Sequence, residues 1–364
     1  MAGLRLLGGL CAAVALALVL DAAVCLLPTN EYQRWQLPGD QLDRRAPWIY
    51  ERIHFDPRPV DVAIIGSSRA QLGFSAAAVE DRLAQHGKHA NVVNFALPFQ
   101  GDDLMAMIVD ELYKTKSPKV IVLQVDERPT LVGHPALKII APEKWIAFPP
   151  TPLLHNYIYN LSSLPARQVR LFGANLFPNL FGLTKEFDPD AYARTRTDYT
   201  TTFTDYPSGK IIDMEDPVPR ATLIAQVRPL SDYTFLARAF DQINGGEDYL
   251  YIREIAREAK AKGTQLVFVF LPTFNGPQTI SDVEFLRQYG PVLNCGDLAQ
   301  NDQLYENWLH LNRAGAMSAS ARLADAIDGL DGSFRWVRIP TQSGRGFRFD
   351  VGHRSDLIPA TIPK

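Results

Sequence analysis

Hydrophobic positions in this chain fall into short runs that are apolar on both faces, separated by segments whose apolar residues recur at helical spacing. Val60 to Ile65 is the first such run; it is rich in β-branched residues and predicts a buried parallel strand. Ser75 is a suitable N-cap for a helix that carries Val79 and Leu83 and stops at Gly87. Asn91 to Phe95 predicts a second strand, and Asp102 and Asp103 open a helix striped by Leu104, Ile108 and Leu112. Pro118 to Val125 predicts a central third strand. The alternation resumes with a helix over Glu247 to Lys262, a fourth strand over Thr264 to Leu271 and a weaker fifth over Val292 to Cys295. A last helix, Asn312 to Asp328, turns Ala316, Ala319, Leu323 and Ile327 inward. Strands alternating with helices argue an α/β protein with a doubly wound parallel sheet.

Three regions stand outside the alternation. Residues 1–27 hold an apolar run from Leu6 to Leu20 that resumes after Asp21, and they read as a signal-anchor that spans a membrane rather than a cleaved signal. The domain behind it is then expected outside the cytoplasm. Residues 28–57 read as an ordered linker on the domain surface. Residues 128–246 are rich in proline and aromatics, and a structureless loop of that length is improbable, so they are expected to form an inserted cap that walls the cleft. The tail, 331–364, scatters Arg335, Arg338, Arg345 and Arg348 among aromatics and reads as a surface wrap. The alternating domain is therefore assembled from 58–127 and 247–330.

Composition narrows the function. At 364 residues, 46% hydrophobic and 21% charged, the chain can bury a large core. A net charge of -3 provides no basic field for nucleic acid. Cys11 and Cys25 lie in the apolar segment, which leaves Cys295 without an internal disulfide partner. No Cys/His cluster has metal-ligand spacing, and no cofactor is expected.

The chemistry suggested by the pattern begins at Gly66-Ser67-Ser68-Arg69, which follows the first strand and therefore sits at the carboxyl edge of the sheet. A serine there needs a base, a group that orients the base, and donors for an oxyanion. His310, in Asn307-Trp308-Leu309-His310-Leu311-Asn312-Arg313-Ala314-Gly315-Ala316 before the last helix, can face the same edge. Arg69, Asp126 and Glu127 are candidate substrate-binding groups at that edge; Arg69 either meets an anionic group or pairs with an acid.

Gly-Ser-Ser after the first strand and His-Leu-Asn-x-x-Gly-Ala before the last helix resemble the SGNH/GDSL hydrolase superfamily, in particular its divergent membrane-anchored extracytoplasmic branch. That branch includes the D-alanine transfer protein of teichoic-acid modification and exopolysaccharide O-acetyltransferase domains. The resemblance implies a flavodoxin-like three-layer α/β/α fold, Ser68 as nucleophile and His310 as base. It implies an esterase or O-acyltransferase acting on acyl esters of a cell-envelope polysaccharide, or a non-catalytic relative that binds a glycan or a membrane partner. Where the family has an aspartate three residues before the histidine, this chain has Asn307, which can orient the imidazole through its carbonyl oxygen; Glu306 and Asp302 are candidate substitutes. The oxyanion donors implied are the Ser68 and Gly101 N–H groups and Gln124. A membrane O-acyltransferase is an expected partner, met through Trp145 and Phe148 of the insertion.

Overall fold

In the computed structural model, residues 2–42, 44–127, 133–149, 156–205, 208–227 and 249–330 are described. Five strands form one parallel sheet: β1 (Val62–Ile65), β2 (Val92–Asn94), β3 (Val120–Val125), β6 (Gln265–Phe270) and β7 (Val292–Asn294). Their order is β2-β1-β3-β6-β7. With the antiparallel hairpin β4 (Thr202–Thr204) and β5 (Ile211–Asp213) set aside as a separate sheet, this is the 2-1-3-4-5 order of flavodoxin-like folds. Register puts Val62 opposite both Val92 and Val120, and Val120 opposite Gln265.

Because successive strand residues point to opposite faces, the sheet divides the core in two. Ala63, Ile65, Ile121, Leu123, Phe268 and Phe270 pack against the helices Arg45–His54, Asp102–Leu112 and Leu250–Lys262. Val62, Ile64, Val122, Val267 and Val269 pack against Ala76–Gln85 and Arg313–Asp328. The result is a flavodoxin-like three-layer α/β/α sandwich whose strands are buried on both faces, as their uninterrupted apolar runs require.

Residues 28–57 are not a surface linker. They form the helices Glu31–Gln36 and Arg45–His54, and Trp35, Ile49 and Ile53 are fully buried in the core beside the sheet. Arg45 explains the depth of the second helix: its guanidinium donates to the carbonyls of Asn94 and Ala96, where β2 ends, and lies over the Tyr199 ring. Polar spacing of the sequence hid this burial, because Arg34, Arg45 and Arg52 donate to backbone carbonyls rather than to water.

The inserted region holds more regular structure than its composition suggests. It contains the short helices Leu137–Ile140 and Glu143–Ala147, a 20-residue helix Tyr157–Leu176, the β4–β5 hairpin and the helix Arg220–Gln226. Ile140, Ile146, Leu164 and Tyr192 join the same apolar cluster as the sheet, so these pieces extend the domain's core. At the amino end, Ala2–Cys25 is one helix, and Leu7–Cys25 is long and apolar enough to cross a membrane. The tail with Arg335, Arg338, Arg345 and Arg348 lies outside the described residues.

Candidate active site

β1 delivers the Gly66-Ser67-Ser68 turn to the carboxyl edge of the sheet, and the chain turns at once into the helix Ser68–Gly73. Ser67 is the N-cap, its hydroxyl accepting from the Arg69 N–H, which leaves Ser68 as the first residue of the helix. The Ser68 N–H has no backbone acceptor among the described residues.

One side chain fixes this turn. Gln124, on β3, accepts from the Ser67 N–H at 3.0 Å, the Ser67 hydroxyl at 2.9 Å and the Ala70 N–H at 3.0 Å. Its own amide donates to Asp126. Gly66 is needed for this approach, since a Cβ there would come within 2.6 Å of Gln124 Cβ and 2.9 Å of Ala70 Cβ. Gln124 is therefore spent on holding the turn, which corrects the expectation that it supplies an oxyanion donor.

Opposite stands a loop closed by an antiparallel bridge between Tyr305 and Leu311. Asn312 caps the final helix by accepting from the Gly315 N–H and donates to the Gln303 carbonyl. A Cβ on Gly315 would meet the Leu304 carbonyl oxygen at 2.5 Å. Leu311, Asn312 and Gly315 of His-Leu-Asn-x-x-Gly-Ala thus each have a mechanical role in presenting His310. The imidazole Nε2 lies 2.9 Å from Ser68 Oγ, across a separation of 242 positions. Burial, reinforced by the positive Arg69 guanidinium, pushes the imidazole down to about 4, so it is neutral at physiological pH and can accept the hydroxyl proton.

The far side of the ring is bare. His310 Nδ1 is enclosed and has no hydrogen-bond partner among the described residues. Asn307, expected to orient it, instead points its Oδ1 at the backbone N–H groups of Leu309 (2.9 Å) and His310 (3.0 Å). This correction has a simple cause: an Asx turn closes the loop locally and takes the oxygen before the ring can reach it. Neither proposed substitute fills the gap. Asp302 pairs with Arg220 at 3.7 Å, and Glu306 is raised to about 7 by burial and by Asp213.

Arg69, Asp126 and Glu127 do come together, but with one another. The buried Arg69 guanidinium pairs with Asp126, forks onto both oxygens of Glu127 (2.8 and 3.1 Å) and donates to the Leu271 carbonyl at 2.9 Å. All three are engaged in an internal ion network: Arg69 pairs with acids, one of the two roles open to it, and Asp126 and Glu127 hold its guanidinium rather than stand free for a substrate. The network ties the helix Ser68–Gly73 to the segments that leave β3 and β6.

Gly101 lines a cleft of about 300 Å³, open mouth included, together with Gly66, Ser67, Phe99, Asp126 and His134. The lining reaches Ser67, one residue short of Ser68. A Cβ on Gly101 would collide with the His134 backbone N at 2.5 Å, and its φ is +157°. Beneath it, Asp103 accepts from the His134 N–H, and burial raises this carboxyl to about 7.

Two aromatic residues escaped sequence reasoning. Phe203 of the hairpin sets its ring edge-on to His310, 6.1 Å between centroids, so the insertion does wall the base. Phe99 stands at φ +72°, a left-handed conformation unusual for a bulky residue, and is half exposed at the cleft. Only its place between β2 and Gly101 could have singled it out. Of the residues expected to meet a membrane partner, Trp145 is half-buried, its ring N–H donating to Asp110, while Phe148 is exposed. No family model and no curated protein matches the chain.

Proposed function

We propose that this chain is a serine-dependent esterase or O-acyltransferase of SGNH type, membrane-anchored with its domain on the extracytoplasmic side, acting on acyl esters of a cell-envelope glycan or related polymer. The observation that carries the reading is the 2.9 Å contact between the neutral His310 Nε2 and Ser68 Oγ at the carboxyl edge of the sheet. In the first half-reaction His310 removes the Ser68 hydroxyl proton while Oγ attacks the acyl carbon. The tetrahedral oxyanion is met by the Ser68 and Gly101 N–H groups. Collapse expels the alcohol, which takes the proton from His310. In the second half-reaction water or a sugar hydroxyl attacks the acyl-serine, His310 accepts its proton, and Ser68 Oγ leaves and is reprotonated. Among the described residues no group bonds His310 Nδ1, so the pair works as a dyad.

The bare Nδ1 also favours a second reading, in which the cleft binds a glycan or a membrane partner without reacting. A fluorophosphonate probe on the full chain separates the two. Labelling at Ser68 that disappears in Ser68→Ala and His310→Ala supports the enzyme; folded wild type that never labels and forms no acyl-enzyme with activated esters leaves the binding reading.

A further inference from the structure

The helix Tyr157–Leu176 buries Leu164, Leu171 and Ala174 on one side, yet its outward side is apolar too. Ile158, Leu161, Pro165, Val169, Phe172 and Leu176 follow one another at spacings of three and four, the period of a single helical face. Ile158 is 72% exposed, Val169 55% and Leu176 54%. The row continues past the helix end into Phe177 and Leu180, which is 82% exposed. At 1.5 Å per residue the helix alone presents an apolar edge about 30 Å long. Soluble surfaces rarely carry a contiguous strip of that kind without something to cover it.

What covers it follows from where the N-terminal helix ends. Leu7–Cys25 is 19 residues, and at 1.5 Å per residue that is about 28 Å, the thickness of a bilayer's hydrocarbon core. Cys25 therefore marks the depth at which hydrocarbon gives way to headgroups. The Cys25 carbonyl accepts from Gln168 Nε2 at 3.2 Å, and Cys25 packs against the domain core. Gln168 is the middle of the Tyr157–Leu176 helix, so that helix is pinned at its midpoint to the interfacial depth. A second tie, from Gln33 Nε2 to the Ala174 carbonyl at 3.1 Å, fixes it against the segment that follows the span. The flank carries groups suited to headgroups: exposed Arg170, and Lys138, whose ammonium lies 3.8 Å from the centroid of the exposed Tyr159 ring.

We infer that the Tyr157–Leu176 helix lies along the membrane interface, with its Ile158-to-Leu176 row seated at the boundary of acyl chains and headgroups. The domain is then held to the bilayer at two places, a span and an interfacial helix, and cannot swing freely about residue 27. The inference is independent of what Ser68 does; it rests on the span.

The test uses the full chain in vesicles of phosphatidylcholine and phosphatidylglycerol, with Cys11→Ala and Cys25→Ala; Cys295 is buried and escapes labelling. An environment-sensitive fluorophore is placed singly at Ile158→Cys, Val169→Cys or Leu176→Cys, at Leu16→Cys as a reporter of the span, and at Glu284→Cys as an exposed control. Expected are blue-shifted emission at the three helix sites, quenching by lipids spin-labelled near the headgroup, and iodide quenching several-fold weaker than at the control. Iodide quenching equal to the control, with no lipid quenching, overturns the inference while Leu16 still reports insertion. Protection from both quenchers also overturns it, since protein then covers the row, and crosslinking between helix-site cysteines identifies a second copy. A Leu16 probe that stays in water removes the span and the inference with it.

Discussion

Replacing Asn307 by aspartate should convert the dyad into a working triad, and the geometry sets how much that is worth. Oδ1 of Asn307 is already 3.0 Å from the His310 N–H and 2.9 Å from that of Leu309, so a carboxylate keeps both bonds with one oxygen. The second oxygen takes the place of Nδ2, which makes no hydrogen bond among the described residues, and brings a negative charge beside a ring whose Nδ1 has no partner. The ring now sits at about 4 against an ordinary 6.5, which at 1.36 kcal/mol per unit is about 3 kcal/mol against the imidazolium. A carboxylate within about 4–6 Å of the ring would recover about 1–3 units. The transition state for acylation develops the same charge, so labelling of Ser68 should accelerate by at least about tenfold. The ceiling is the ~10⁴ that the opposite change costs a trypsin-type triad. Single-turnover fluorophosphonate labelling across pH measures both quantities. In wild type the rate should hold as pH falls and drop only through about 4, where the imidazole takes a proton; in Asn307→Asp the drop should move to higher pH as the plateau rises. An Asn307→Asp chain that folds, with plateau and midpoint both unchanged, would show that a carboxylate at 307 does not reach the imidazole and would refute this route to a triad.

Three further outcomes follow from the supports around the pair. Gln124→Leu strips the acceptor from buried Ser67 and Ala70 amides; denaturant unfolding should show a loss of about 2–4 kcal/mol, with Ser68 labelling falling in the folded fraction. Arg69→Gln leaves Asp126 and Glu127 buried without their cation and should cost about 3–5 kcal/mol. In the folded fraction it should raise the labelling midpoint of His310, because a repelling charge has gone, and leave the KM for a soluble ester unchanged, which a substrate-binding arginine would not. Asp103, raised from 3.8 to about 7 by burial, binds its proton more tightly folded than unfolded. Its contribution is present at acid pH and lost as pH rises through that window, at most about 4 kcal/mol at 1.36 kcal/mol per unit. Unfolding titrations of Asp103→Asn should show a flatter stability profile from pH 4 to 8, and an unaltered slope would count against a buried, protonated Asp103.

The sheet was legible because a strand buried on both faces leaves little choice of residue, and the runs around Val62, Val120 and Leu266 satisfy that demand. Ser68 and His310 were legible because their loops need glycine and asparagine at fixed offsets to pack at all. Gln124 was misassigned for want of direction: an amide on a central strand can face the cleft or the neighbouring turn, and only the approach allowed by Gly66 decides. Asn307 failed for a related reason, since local backbone amides competed for its oxygen and won; for Arg69 the sequence left pairing with an acid open, and the nearby acids took it. The Tyr157–Leu176 helix was missed because apolar residues on both its sides erase the amphipathic period, and Pro165 lies within it.

The strand order carries a consequence for how the protein is made. β3 must pair with β6, yet about 140 residues separate them, and the pair that holds Ser68 to His310 spans 242 positions. At typical synthesis rates of 5–20 residues per second, the first three strands exist for on the order of ten seconds before their neighbour is synthesised. During that interval β3 is a bare edge, apolar on both faces, and a natural template for a neighbouring nascent chain. Because His310 arrives later still, a prematurely terminated chain would carry Ser68 without the imidazole that faces it. On the proposed function, this assembly order would keep incomplete copies inert while leaving them sticky.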